Sequence, residues 1–474
     1  MPRRRTVIIC RVQPRSRTRT TMKQNLAILG GDPAMPEGIE RARWPRYSQA
    51  ELDELCRVLR EEQLGGCDAP QIAALEQEWA RRMDIPYCCA VGAGSDALHM
   101  ALWAANVGPG DEVLVPAYTF LSGALTVLHQ GAVPVFVDVH PDSCNMDPAR
   151  IEQHITSRTK AILPVHLSGL PADMDEINAI ARQHDLAVIE DAAHAPGATY
   201  KGRFVGNLGD AAAFSINAMK NLPAGEAGVF ATRHRHYFER VDGLWLRVRF
   251  HKPREEQKYP LATLGHNYRC SVVSAALARG QLARIDQLNG ERQSLCERLT
   301  RQIQDLPGVI PPRVPPDRSH AYHLYRVRFD PRAAGLDLKP SEFRAKVVAA
   351  LGAEGVLCRS WMNWTIPSLP LFTRPEEFEA NYPWRRPWPA DRFYDPRDYP
   401  EATRVVEETS LVMEAPTAAS RQIIDFMGEG FRKVFSRIDE VARLQLPGEL
   451  LDGGAANLDE IRRWLGRALP VQPT

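Results

Sequence analysis

VIEDAAHAPGATYKGRFVGNLGDAAAFSINAMKNLPAGEAGVF, residues Val188 to Phe230, is the stretch around which the 474-residue chain is organised. It starts as a buried strand, Leu186-Ala187-Val188-Ile189, that delivers Glu190 and Asp191 at its carboxyl end. It closes on Ser215, Lys220 and a turn holding Gly225 and Gly228. A lone lysine behind a strand is ordinarily a solvated charge, and strand-end aspartates commonly cap turns. Here the acid, hydroxyl and lysine fall among small residues. A lysine amine can hold an aldehyde cofactor as a Schiff base. A carboxylate at the cofactor's ring nitrogen keeps that nitrogen protonated, so the ring serves as an electron sink. That combination is the equipment of pyridoxal phosphate (PLP) chemistry.

The order of the strings narrows this further. EDAAHA, then GRFVGNLGDAAAFS, then KNLPAGEAG resembles the DegT-type sugar aminotransferases, whose usual strings are EDxAxxxGA, GxxGxxGDxxxFSF and TKxLxxGEGG. The resemblance runs from about Leu26 to about Val441. It implies an α/β architecture of the PLP fold type I: a seven-stranded, mostly parallel sheet in a large domain, followed by a small α+β domain. It also implies that Lys220 is the catalytic lysine that binds PLP, and that Asp191 faces the ring nitrogen.

Composition agrees with a soluble enzyme. Lys+Arg 59 against Asp+Glu 58 offers no basic or acidic face for nucleic acid. The nine cysteines are unpatterned, without a CxxC pair, which fits a reducing cytoplasm and predicts neither disulfides nor a metal site. No apolar run reaches the ~20 residues of a membrane span. Residues 1–24, rich in Arg and Thr and free of acid, have the composition of a transit peptide or basic tail. We expect translation to start at Met22, where the resemblance begins, and the leading segment not to fold.

From Trp44 onward, a helix is predicted with Leu52, Leu55, Val58 and Leu59 on one face, ended by Gly65-Gly66. A second, from about Pro70 to Arg82, carries Ile72, Leu75 and Trp79. The strand ending at Val91 feeds Gly92-Ala93-Gly94, and Ser95 is read as the cap of the next helix. Such a turn presents backbone N–H groups and a positive dipole end to an anion. By resemblance, Gly94, Ser95 and Ser215 bind the PLP phosphate, and Phe120 stacks on the pyridine ring. His194 takes a place that in the family contacts the ring or its hydroxyl; the AHA form is more typical of relatives acting on aminocyclitols and amino-shikimate precursors.

Between Ala132 and Asp191 the chain alternates: strand VPVFVDV, helix DPARIEQHI, strand AILPVHL, helix DMDEINAIARQH, strand LAVIED. This predicts a parallel sheet with helices on both faces, and a ligand at the strands' carboxyl ends. Val229 to Thr232 reads as a strand, Tyr237 to Arg247 as a helix, HKPREEQKYPL as a polar loop on the surface or at a subunit contact, and about Val272 to Ile303 as one long helix. GHNYRC, residues 265–270, resembles the family's GxNYRM. It implies a homodimer in which Asn267 reaches the partner's PLP phosphate, so that active sites are shared.

The predicted organisation is a large PLP-binding domain over 25–305, opened by the helical segment, a small α+β domain over 306–442, and a C-terminal extension over 443–474. In the small domain HAYHLYRVRF reads as a strand and SEFRAKVVAALGAEG as a helix buried through Phe343, Val347 and Leu351. Trp361 to Pro400, dense in Pro, Trp and Tyr, is a candidate wall for the acceptor. Leu458, Ile461, Leu465 and Leu469 suggest an extra amphipathic helix in the extension.

The expected activity is transfer of an amino group from glutamate or glutamine to a keto sugar, keto-cyclitol or related compound, as in amino sugar and antibiotic biosynthesis. Two alternatives stand beside it. One is a dehydratase of the same fold, in which the family carries His at the place of Lys220. The other is a regulator or assembly subunit that has lost catalysis. For the latter, the departures are Met219 before Lys220, Cys270 after Arg269, and above all Ala227 where GEGG has glycine.

Overall fold

The computed structural model describes residues 25–36, 38–39, 44–61, 64, 69–244, 266–356, 358–374, 394–413 and 420–446. The leading segment, HKPREEQKYPL, Gly65-Gly66, residues 375–393 of the aromatic stretch and the helix expected around Leu458 to Leu469 lie outside them.

Seven short strands form the central sheet: β1 (Tyr87–Val91), β2 (Glu112–Pro116), β3 (Val133–Val137), β4 (Thr159–Ile162), β5 (Ala187–Asp191), β8 (Ala211–Ser215) and β9 (Gly228–Thr232). The small ladder β6 (Thr199–Tyr200) and β7 (Arg203–Phe204) stands apart. The sheet order is β1-β9-β8-β5-β4-β2-β3. Only β9 runs against its neighbours, pairing antiparallel with β1 and β8, so the sheet is mostly parallel as expected. Even toward the β3 edge its strands are buried on both faces (EVLVP and VPVFV are buried throughout), because helices cover both sides. One apolar core lies under α1 (Gln49–Glu61), α2 (Pro70–Met83) and α5 (Met174–Gln183), centred on Trp79, Ile177 and Phe214. The other packs α3 (Gly94–Ala104), α4 (Ser122–His129) and α6 (Arg235–Leu244) around Phe136 and Phe230.

Several predicted elements change shape in three dimensions. In α1 the buried positions are Val58 and Glu51, whereas Leu52 and Leu59 are 42% and 51% exposed. Glu51 turns inward because it closes a capping box with Ser48, whose backbone N–H and hydroxyl donate to it at 2.6 Å, and also meets Arg284 at 2.7 Å. DPARIEQHI is two 3-10 turns, Pro148–Arg150 and Glu152–His154, not an α-helix. Asp147 caps the first through Ala149 N–H, and the chain is extended again at Ile155. The long helix divides at Arg284, where φ −109° and ψ 7° separate α7 (Val272–Ala283) from α8 (Ile285–Ile303).

The last third builds a second, antiparallel sheet in the order β10 (Val309–Ile310), β11 (Tyr325–Phe329), β12 (Thr409–Met413). It is backed by α9 (Pro340–Ala353), α12 (Arg421–Phe435) and α13 (Ile438–Ala442). Phe343, Val347 and Leu351 are fully buried there as predicted, in a core that also takes in Leu26, Met35 and the second half of α8. Two shorter helices, α10 (Pro370–Thr373) and α11 (Pro400–Glu408), bring Phe372 and Tyr399 against Phe136 of the large sheet. HAYHLYRVRF is strand only from Tyr325. Its first half is drawn off the ladder, since Ala321 and His323 donate instead to Gly169 O (2.9 Å) and Ser168 O (2.8 Å), and Tyr322 takes φ +47°.

Candidate active site

A cavity of about 350 Å³ opens at the carboxyl ends of β5 and β8 and the start of α3. Seven of the eight residues expected at the site line it: Gly94, Ser95, Phe120, Asp191, His194, Ser215 and Lys220. They arrive from five separate parts of the chain, each with its own local cause.

Asp191 ends β5 and is 6% exposed. Its neighbour Glu190 faces the other side of the sheet, as alternate strand residues must. Glu190 is fully buried and accepts N–H bonds from Gly206 (2.6 Å), Leu208 (2.7 Å) and Gly209 (2.6 Å), and one from His166 Nε2 (2.9 Å). The two adjacent acids therefore divide labour: Glu190 fastens the turn before β8, while Asp191 is left for the cavity. Burial raises the Asp191 carboxyl above its ordinary value, opposed by the Ala193 N–H and by the charges of Lys220 and His166.

Lys220 sits in the loop between β8 and β9. Bonds from Ile216 N to Ala227 O (3.0 Å), Ala218 N to Gly225 O (2.7 Å) and Lys220 N to Asn217 O (2.8 Å) fold that loop back on itself. Burial lowers the lysine's pKa to about 8, with Asp191 pulling the other way. At neutral pH about a tenth of such amines carry a free lone pair, against well under a thousandth of ordinary lysines. Gly225 holds the loop's φ +82°, a left-handed conformation open to glycine. Ala227 is not at a positive φ; its methyl is buried in the core beside Leu222, Ala224 and Val229. The glycine missing from GEAG thus falls where no glycine freedom is required.

At the start of α3, backbone approaches backbone. A Cβ on Gly228 would lie 2.4 Å from Ala93 O, and one on Gly94 would lie 2.9 Å from Ser215 Cβ. Ser95 is not the helix cap expected from the sequence. Ala93 holds that position without a side-chain bond, and Ser95 stands in the first turn, its hydroxyl 3.0 Å from that of Ser122. Phe120 is 46% exposed within the cavity wall, and the buried Thr119 hydroxyl beside it has no hydrogen-bond partner among the described residues.

His194 and His323 pack with ring centroids 4.3 Å apart and a tilt of 39° between the rings, and Trp361 packs edge-on against His194 at 5.9 Å. Ser168 N–H donates to His194 Nδ1 at 3.3 Å, which leaves the His194 proton on Nε2. Asn221 gives its amide N–H to Ala321 O (2.7 Å), so its Oδ1 receives the Nδ1–H of His323 (3.2 Å), whose Nε2 is then an acceptor. Burial holds both rings well below the ordinary imidazole pKa, with Lys220 adding to the effect.

Residues 45–390 match the DegT/DnrJ/EryC1/StrS aminotransferase family. The chain belongs to that family. Among its relatives, the putative L-glutamine:3-amino-2,3-dideoxy-scyllo-inosose aminotransferase of Micromonospora echinospora is 37% identical over 347 residues, 71% of this chain and 79% of that protein. The dTDP-3-amino-3,4,6-trideoxy-alpha-D-glucose transaminase of Streptomyces venezuelae is 40% identical over 264 residues, 56% of this chain and 68% of that one. Of solved structures, S. venezuelae DesV with a ketimine intermediate superposes with a TM-score of 0.68 at 31% identity, covering 84% of this chain and 95% of DesV. The chain is an aminotransferase by family, with the fold type I architecture.

Within this aminotransferase, Asn267 is the expected site residue that does not line its own chain's cavity. It is exposed, on a segment tied beside β1 by the Val91–Arg269 bridge and by Gly92 N–H to Tyr268 O at 3.0 Å. The cavity also contains residues not singled out from the sequence, notably Thr119, Ser122, Asn217, Glu226 and His323. His323 was hidden inside a stretch that reads as a strand. Trp361, the first residue of the proposed acceptor wall, does line the cavity.

Proposed function

We propose that this chain is a PLP-dependent aminotransferase that moves the amino group of glutamate or glutamine onto a keto sugar or keto-cyclitol. The observation that carries the reading is the pairing of Lys220, its amine at a pKa of about 8, with the buried carboxylate of Asp191 in one cavity.

The residues fit the cofactor. Asp191 suits a protonated ring nitrogen, because a buried carboxylate gains most from a cationic partner. The backbone opening of α3 with the Ser95, Ser122 and Ser215 hydroxyls suits a phosphate, and the unpartnered Thr119 hydroxyl is available to a ligand. Phe120 suits the flat face of the ring. When bound, PLP supplies an aldehyde that takes up amines and a ring that draws electron density from the carbon alongside.

The remaining work falls to the chain's own groups. Lys220 Nζ, unprotonated in an appreciable share of molecules, would hold the cofactor's aldehyde and, when free, would take the proton from the donor Cα as general base. Asp191 would hold the ring nitrogen's proton. His194, with its proton on Nε2, would be a donor for a ring oxygen. Trp361 and His323 close the side of the cavity from the small domain and exclude water. The acceptor class rests on the substrates named for the relatives above.

The test is spectroscopic and then preparative. Purified protein given PLP should develop a visible band that glutamate or glutamine bleaches and a keto sugar or keto-cyclitol restores. Lys220→Ala should lack the band. A wild-type protein that takes up no PLP would overturn the proposal, and restoration by simple keto acids alone would overturn its acceptor.

A further inference from the structure

A second cavity, of about 240 Å³, lies between the loop after β3, the Ser168 turn and β11. Arg326 of β11 lines it. Its Nη2 donates to Ser143 O at 3.2 Å, but Nε and Nη1 are buried and make no geometrically sound hydrogen bond among the described residues. No carboxylate among the described residues pairs with it; its guanidinium interacts only with neutral groups, the Cys144 thiol and the Tyr118 hydroxyl, whose phenol burial pushes up to about 12. Arg328, two residues on, is by contrast charge-paired, with Glu408 (3.1 Å) and with Asp142 (3.8 Å), which also lines the cavity, and gives Nη1 to Pro141 O (2.7 Å), although its Nε makes no hydrogen bond among the described residues. Two further lining residues carry buried hydroxyls without partners among the described residues: Ser168, 2% exposed, and Thr409, 8% exposed. Arg313 is exposed and also lines the cavity.

A buried guanidinium without a counter-charge is costly, and each buried hydroxyl left unpaired adds to the cost. All three deficits border one cavity, and all three are donors. We infer that this cavity is a second, non-catalytic binding site for a small oxyanion, held by Arg326 together with the Ser168 and Thr409 hydroxyls. Two chemical sources share the required charge and acceptors, a phosphate group and a small carboxylate. The site borders the catalytic cavity through Ser168, whose N–H holds His194 Nδ1 (3.3 Å) and whose carbonyl accepts the N–H of His323 (2.8 Å). An occupant that engages the Ser168 hydroxyl bears on the turn that positions both rings.

Isothermal titration of the PLP-saturated protein with inorganic phosphate, with succinate and with sodium chloride at matched ionic strength reads the site directly, because the cofactor already fills the start of α3. We expect phosphate or succinate, but not chloride, to bind at one site per chain. Arg326→Met should weaken that binding by about tenfold or more and Ser168→Ala by several-fold, the range for a hydrogen bond to a charged group. The anion that binds tighter names the source. Thermal unfolding supplies a sign that a merely structural arginine would not give: Arg326→Met should match or exceed wild type in anion-free buffer and fall behind it when the anion is added. Equal affinity in wild type and Arg326→Met, the same heat with chloride, or no binding by either anion would overturn the proposal. Should Arg326→Met not fold, Ser168→Ala decides: unchanged affinity overturns the site, and weakened affinity supports it.

Discussion

Lys220 is where burial turns into chemistry. An amine with pKa about 8 is mostly protonated at neutral pH and mostly free above pH 9. The reactive form is the free amine, so its share falls as pH drops through 8. The rate at which apoprotein takes up PLP should therefore climb about tenfold per pH unit up to pH 8 and level off above it; a rate still climbing at pH 10 would mean a lysine with an ordinary pKa. Replacing Lys220 by Ala should lower turnover by at least about a thousandfold, the scale of a lost general base, while leaving the unfolding midpoint near that of the apoprotein. Glu190 offers the complementary case. One of its oxygens accepts from Leu208 and Gly209 and the other from Gly206 and His166. In Glu190→Gln, whichever way the amide turns, an NH₂ faces two N–H donors. We expect a stability loss of about 2–4 kcal/mol by urea unfolding, with the visible band of bound PLP still formed in the folded fraction.

At the scale of elements, the junction between β9 and α3 governs the anion end of the cavity. Gly228→Ala would place a methyl 2.4 Å from Ala93 O and 2.7 Å from Gly94 N. Strand and helix start must then part, at about 1–3 kcal/mol, and affinity for PLP should fall by an order of magnitude or more in a fluorescence titration. Ala227→Gly, one residue earlier, makes the opposite comparison. Ala227 sits in β-hairpin geometry without a positive φ and fills core space. The change should cost about 0.5–1 kcal/mol and leave turnover unimproved. A large gain in activity would instead mark a degenerating enzyme, the reading under which GEAG is a lesion.

For the whole molecule, the open question is how Asn267 reaches a cofactor. It is exposed and outside its own chain's cavity, so a role at the phosphate requires a second chain. If it serves the partner's site across a two-fold axis, then Lys220→Ala and Asn267→Ala homodimers are both defective. A mixed dimer holds one site lacking both residues and one intact, and co-expression should restore about half of the wild-type activity per mixed dimer. No rescue, together with a defective Asn267→Ala homodimer, would assign the residue to its own chain; a fully active Asn267→Ala homodimer would remove it from the site. The exposed leucines of α1, Leu52 and Leu59, are the first apolar surface to examine for burial in such a dimer.

The sequence by itself determined the class of sheet, because continuous apolar runs such as VLV and VFV separated by helical patterns have one stable outcome, a parallel sheet covered on both faces. It also named the lysine, the acid and the small-residue turn of the cavity, since these are local strings with local reasons. What it left undecided depended on contacts far along the chain. That Glu190 is a fastener and Asp191 a site acid follows from which sheet face each side chain meets. The face of α1 differs from its periodicity because Glu51, already held by the Ser48 capping box, also meets Gln281 and Arg284, more than two hundred residues away. His323 emerged as a cavity residue only when the Ser168–Gly169 turn pulled its segment off the ladder, and Arg326 as an unanswered charge only when the loop after β3 closed over it. Periodicity reports the average environment of an element. Which buried polar group finds a partner is fixed only when distant segments pack.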